Sequence, residues 1–400
     1  MIVPRVVETA RLSVPAGSRL SRLPLVAGGV GVLSILASWA LGQGTRQLWF
    51  SWLVAFLFCL TLALGALFFV LVHFATKAGW GVAVRRLAEN VAGALPVLAV
   101  LFLPVLLGLH DLYHWSDAEA AAHDPLLAAK APFLDPGFFV IRAALYFAIW
   151  GGLGVLYLRS SRRQDDTGDE RITRRLTALA GPALVLFALS VSFAAIDWIM
   201  SLEPHWYSTV FGVYVFAGCV VSFFSLLVVL SALLGRAGVL RGVITVEHFH
   251  DIGKLMFAFT VFWAYIAFVQ FFLIWYGNIP EETVWYLRRI DSGWLPVSLL
   301  LAVGHFVVPF FFLMPRAIKR RTPLLVAGAV WMLFVHLVDL HWLVMPTLHQ
   351  DGPHLGLVDL TTLLGVGGLF FAAVGWLLTR KPLVPLGDPR LSESVAFENF

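Results

Sequence analysis

Apolar residues in this chain come in long blocks, separated by short polar stretches, and the blocks repeat along almost its whole length. A bilayer core requires about 20 apolar residues per helix. Ten runs meet that length, at residues 23–41, 48–72, 91–109, 138–157, 176–199, 210–234, 255–275, 295–314, 324–345 and 357–378. The pattern predicts an all-α polytopic membrane protein of ten transmembrane helices. It is preceded by a segment 1–22 and followed by a polar, poorly ordered tail 379–400. An even number of spans puts both termini on one side. Composition agrees: 60% of the 400 residues are hydrophobic and 13% charged, against about 25% charged in a soluble domain.

Charge then orients the chain. The side holding the termini carries 23 of the 28 basic residues, among them Arg5, Arg11, Arg19, Arg22, Lys77, Arg85, Arg86, Arg236, Arg241 and six arginines in 158–175. The opposite side has four, Arg46, Lys130, Arg288 and Arg289, and Arg142 falls inside a span. This bias makes the side with the termini cytoplasmic. Residues 1–22 read as a cytoplasmic leader, since they lack the short apolar run and cleavage site of a signal peptide. The outer side is acidic, with Asp111, Asp117, Glu119, Asp124, Asp135, Glu203, Glu281, Glu282, Asp291 and Asp351. Its one long loop, 110–137, suits either a docking surface or a plain solvated connection. The inner loop 158–175 reads as a mobile, mixed-charge connector. Tryptophans at span ends, including Trp115, Trp198, Trp206, Trp285, Trp294 and Trp342, read as an interfacial aromatic belt.

Four charges interrupt the apolar runs: Arg142, Asp197, Asp339 and Asp359. Each costs on the order of 2.5–3.5 kcal/mol at a membrane-helix centre, so such residues usually line a path for protons, ions or a polar headgroup. Arg142, Asp197 and Asp339 fall at similar outer depth. An arginine at that level can keep a carboxylate ionised, or it can snorkel to the interface. Asp359 opens the last span, where the helix dipole accounts for it. His336 and Asp339 share a helix face, with His341 just beyond them.

His305 and His336 lie at nearly one depth on adjacent spans. A bis-histidine haem clamp and a hydrogen bond across the bundle both satisfy that placement. Span 7 is entered through Glu247, His248, His250, Asp251 and Lys254. Such crowding reads either as a proton entry, since histidines titrate near neutrality, or as a solvated helix cap. Spans 5 and 9 both end in an aspartate followed by Trp and Pro, and they run in the same direction. That weak repeat fits two parallel four-helix bundles, spans 2–5 and 6–9, with spans 1 and 10 peripheral.

Two cysteines, Cys59 and Cys219, are too few for an iron–sulfur cluster, which takes about four thiolates. No CxxCH is present for covalent haem, and no nucleotide or hydrolase motif occurs. Any electron transfer therefore runs through partners. Two function classes stand: a subunit of a redox complex, and a stand-alone proton-coupled or ion transporter.

Five stretches carry a family resemblance: HDLYHW (110–115), AHDPLLAAKAPFLDPGFFVIRAALYF (122–147), DWIMSLEPHWYSTVFGVYVFAG (197–218), the run from His248 to Arg289, and HLVDLHWLVMP (336–346). With these the chain resembles the F subunits of bacterial alternative complex III, in the NrfD/polysulfide-reductase membrane-subunit superfamily. The resemblance implies a ten-span, two-bundle fold in the bacterial inner membrane. It implies a place in a respiratory quinol:cytochrome c oxidoreductase, beside a sister NrfD-like subunit, an iron–sulfur subunit and haem c subunits. It implies no haem in this chain and no nucleic-acid partner, with quinol or menaquinol as the candidate ligand. Carried over by position, Arg142, Asp197, Asp339 and His341 form an outer quinone or proton site, and His305 and His336 a central relay. His248, His250, Asp251 and Lys254 form the proton entry.

Overall fold

The computed structural model describes residues 11–117, 119 and 123–399; residues 1–10, with Arg5 of the expected leader, lie outside them. Among the described residues, ten helices are long and apolar enough to cross a bilayer, and there is no strand. They are α1 (Arg19–Gly42), α2 (Arg46–Ala75), α3 (Val82–Leu107), α4 (Pro136–Thr167) and α5 (Glu170–Leu202). The others are α6 (Phe211–Arg236), α7 (Val246–Gly277), α8 (Leu295–Leu313), α9 (Thr322–Thr347) and α10 (Leu357–Leu378). The protein is an all-α polytopic membrane protein.

Helices α2–α5 pack around one another, as do α6–α9, giving two four-helix bundles joined along α2 and α6. These two central helices are the most completely buried. Their crossing requires a glycine: a Cβ on Gly65 would lie 2.0 Å from the Cys219 carbonyl oxygen. Small residues set the distance between membrane helices, where packing rather than hydrophobicity drives association. The peripheral pair α1 and α10 follows the same rule, since a Cβ on Gly368 would sit 2.7 Å from Gly31 Cα. This pair docks on α2.

Several helices outrun their apolar cores because polar first turns are invisible to hydropathy. α7 starts at Val246, where Thr245 accepts from Glu247 N and His248 Nδ1 accepts from Thr245 N. The expected connector 158–175 is almost entirely helix. α4 runs to Thr167, Gly168 turns with φ 67°, and Asp169 caps α5.

The tail departs from expectation too. Leu383 and Val384 are fully buried, and the helix Leu391–Val395 packs against the start of α3. Arg85 and Arg86 share Glu89, and beyond it Arg85 reaches Asp388 at 2.7 Å and Arg86 reaches Asp165 at 2.8 Å, all shielded from solvent. Buried charges persist only when paired and hydrogen-bonded, so this cluster fixes residues 379–399 to the bundle. Leu383 N also donates to Leu12 O, and Leu240 N to Arg11 O, which gathers both chain ends and the α6–α7 turn on one face, here the terminal face. On the opposite, far face, Arg288 and Arg289 both pair with Glu203, and Lys130 donates to Pro204 O.

The aromatic belt holds only in part. Trp275 is largely exposed, but Trp115, Trp198, Trp206, Trp285, Trp294 and Trp342 are buried inside the protein. Trp206 stacks on Trp285 at 4.5 Å, and the Arg289 guanidinium lies 3.6 Å over the Trp285 ring. These rings build the far-face core.

Candidate functional site

The four outer residues do not share one cavity; the repeated aspartate falls in two different bundle cores. In the first bundle, α4 and α5 bring Arg142 onto Asp197 in a two-pronged grip of 2.8 and 2.9 Å. Tyr146 Oη donates to the same carboxylate at 2.7 Å. The Arg142 guanidinium also donates to Phe133 O and lies over the Phe133 and Phe138 rings. Arg142 therefore pairs inward rather than snorkelling, and Asp197 has a guanidinium partner inside the first bundle.

Asp339 in the second bundle is 2% exposed and has no cationic partner among the described residues. Tyr214 Oη on α6 donates to its Oδ1, and Trp263 Nε1 on α7 donates to Oδ2 at 3.2 Å. Two neutral donors orient this carboxyl group without fixing its charge by a counter-ion.

The Trp263 ring is stacked on His305, centroids 3.7 Å apart. His305 sits in a π-helical segment, Leu301–Val307, which splits α8 just before Pro309. Proline removes a backbone donor and crowds the preceding turn, and π-turns inside helices recur at functional sites. The His305 ring is fully buried and neither nitrogen has a hydrogen-bond partner among the described residues.

His336, one turn before Asp339, reaches back to the first bundle, where its Nε2 lies 2.8 Å from Thr61 Oγ1. The Thr61 hydroxyl spends its proton on Phe58 O. His336 Nε2 is therefore the donor, and Nδ1 is an acceptor with no partner among the described residues. Gly218 leaves it room: a Cβ there would stand 3.0 Å from His336 Cε1. His341 points elsewhere, packing against Trp294. Asp359 caps α10, accepting from Gly356 N at 2.8 Å and from Ser51 Oγ at 2.6 Å.

A cleft of about 730 Å³ opens between α7 and α8 on the outside of the second bundle. Apolar residues including Ala267, Phe271, Leu299, Ala302 and Phe306 form its walls. Its polar points are Tyr214, Trp263, Gln270, Tyr286 and Ser298. Tyr214 and Trp263 are also the two donors to Asp339, so the carboxyl group lies directly behind the cleft. An apolar cleft of this size with a few convergent polar groups is the ordinary form of a small-molecule site. Sequence reading missed Tyr214, Trp263 and Thr61. Trp263 carried a signal, since it lies mid-span and away from any interface.

At the terminal-face end of α7, Glu247 is bound two-pronged by Arg320, and His248 caps the helix. Asp251 pairs with Lys254, and His250 keeps an unpartnered Nδ1. From Asp251 to Trp263 the helix rises about 18 Å, and between them α7 carries no titratable side chain beyond Lys254. Thr260, Ser225 and Met256 fill the interior over that distance. The entry cluster and the central histidines are thus separate groups in the structure. No family model and no curated protein matches this chain.

Proposed function

We propose that this chain is a membrane subunit of a quinol-oxidising respiratory complex of the alternative-complex-III type. In this reading quinol enters the α7–α8 cleft from the lipid, and Asp339 with its partners receives protons as the quinol is oxidised. Oxidation of one quinol releases two electrons and two protons. The electrons leave through partner subunits carrying iron–sulfur and haem c groups, because two buried cysteines cannot hold a cluster here. The single observation that carries the reading is that the two donors to Asp339, Tyr214 and Trp263, are themselves walls of an apolar cleft between α7 and α8.

Chemistry follows from that arrangement. A quinol ring fits between aromatic and aliphatic walls, and its hydroxyls need a hydrogen-bonding acceptor at the inner end. Asp339 supplies one, reached through Tyr214. His305, stacked on Trp263, and His336, bound to Thr61, are further titratable side chains between Asp339 and the bundle interface. With the terminal face cytoplasmic, as the basic-residue asymmetry indicates, Asp339 lies near the outer end of α9 and release is outward. His250, Asp251 and Lys254 stand at the inward mouth.

The test is the complex purified with this chain and reconstituted in vesicles, with Asp339→Asn compared with wild type. Quinol oxidation and proton release are measured together. Loss of both, with the complex still assembled, is expected; full turnover with full proton yield overturns the reading. A chain that purifies alone, without haem c or iron–sulfur proteins, and moves ions unaided would be the transporter instead.

A further inference from the structure

The α1–α10 pair leaves a second groove, of about 690 Å³, between itself and helices α6 and α9. α1 packs chiefly on α10, so its other side faces α6 and α9 across open space. The groove walls are almost wholly apolar, with Val26, Val30, Phe58, Leu230, Leu337 and Phe371 among them. Gly367 also lines it, and a Cβ there would meet nothing within 4 Å. Helix separation is therefore not limited by side-chain size at that point.

The terminal-face end of the groove is basic. Arg19 and Arg22 flank Leu20 and Leu23 on the first turns of α1, Arg236 ends α6, and Arg380 follows Thr379 at the end of α10. All four are exposed, and none forms an ion pair among the described residues. No aspartate or glutamate occurs in 11–46, 204–246 or 360–387, so nothing on the lining helices neutralises these arginines there. Arg380 lies over the Trp376 ring at 4.4 Å, which holds it at the interface level.

We infer that this groove is the binding site of an anionic diacyl phospholipid, acyl chains between the peripheral pair and the second bundle, phosphate at the arginine mouth. Basic pockets between membrane helices favour anionic headgroups, and each arginine near the surface contributes about a fivefold gain in binding. The occupant is a lipid rather than a further helix because the groove is lined to one end only by charge, at headgroup level. The inference rests on the fold and is independent of the quinol cleft.

The full-length protein, in whatever complex it purifies with, is stripped of bound lipid in detergent and titrated with phosphatidylglycerol or phosphatidylcholine, and retained lipid is counted by native mass spectrometry. Phosphatidylglycerol is expected to be held selectively. Arg19→Gln with Arg22→Gln should weaken it about twenty-five-fold while leaving phosphatidylcholine unchanged. Gly367→Leu, whose Cβ meets no atom within 4 Å, should fill the groove and abolish retention of both, with helix content and melting temperature verifying the fold. Equal retention of the two lipids, or full retention in Gly367→Leu, overturns the inference.

Discussion

Arg142 holds Asp197 through two parallel hydrogen bonds, at 2.8 and 2.9 Å, whereas Asp339, the corresponding aspartate of the second bundle, is met only by a tyrosine and a tryptophan. The same residue type at the same depth thus has two fates. One carboxylate is paired with a guanidinium; the other is met by neutral donors.

For the first aspartate the expectation is a stability effect. Removing one partner of a buried ion pair costs about 3–5 kcal/mol. Asp197→Ala should lower the melting temperature in detergent and the yield of folded protein. Asp197→Leu with Arg142→Met should recover most of the loss, since it leaves no unpaired charge. A double variant as unstable as the single one would show that the pair does more than neutralise itself.

Asp339→Asn should behave in the opposite way. The amide keeps the shape and its one oxygen can accept from Tyr214, but the NH2 then faces Trp263 Nε1, so stability should fall by about 1–3 kcal/mol, less than for Asp197→Ala. Quinol turnover in the assembled complex should fall at least tenfold. Tyr214→Phe should give a smaller loss in turnover, because Trp263 still holds the carboxyl group.

Filling the cleft separates binding from proton transfer. Ala302 lines it and is exposed to it, so Ala302→Phe adds volume without entering the packed core. The expected result is a raised KM for quinol, about tenfold, with an unchanged melting temperature. An unchanged KM would move the quinol site elsewhere in the complex.

The tail is expected to be a structural latch. Asp388→Leu leaves Arg85 with Glu89 alone inside the protein, at a cost of about 3 kcal/mol or more. Limited proteolysis should then cut within 379–399, a segment expected to resist cleavage in the wild type.

Orientation can be read with a membrane-impermeant maleimide. Cys59 and Cys219 are fully buried, so the native background is low. Cysteine in place of Asp117 should label from outside intact cells, and cysteine in place of Asp169 only after lysis. Labelling of both from one side would contradict the ten-span parity.

What the sequence determined by itself is what bilayer physics dictates locally. Twenty-residue apolar runs must be helices, because unpaired backbone groups are too costly in lipid. The runs at 23–41 and 357–378 lie within α1 and α10, and the even count that puts both ends on one face follows from it. The repeated aspartate also showed in sequence, since a charge within an apolar run stands out. Tertiary structure alone decided what each charge meets. Arg142 and Asp197 are 55 residues apart, Tyr214 and Asp339 are 125 apart, and no helical period relates them. Polar first turns, the buried arginine cluster and the packed tail were hidden for a related reason. Hydropathy scores a residue by its type, whereas burial of Arg85, Arg86 and Asp388 depends on partners that fold against them from the other end of the chain.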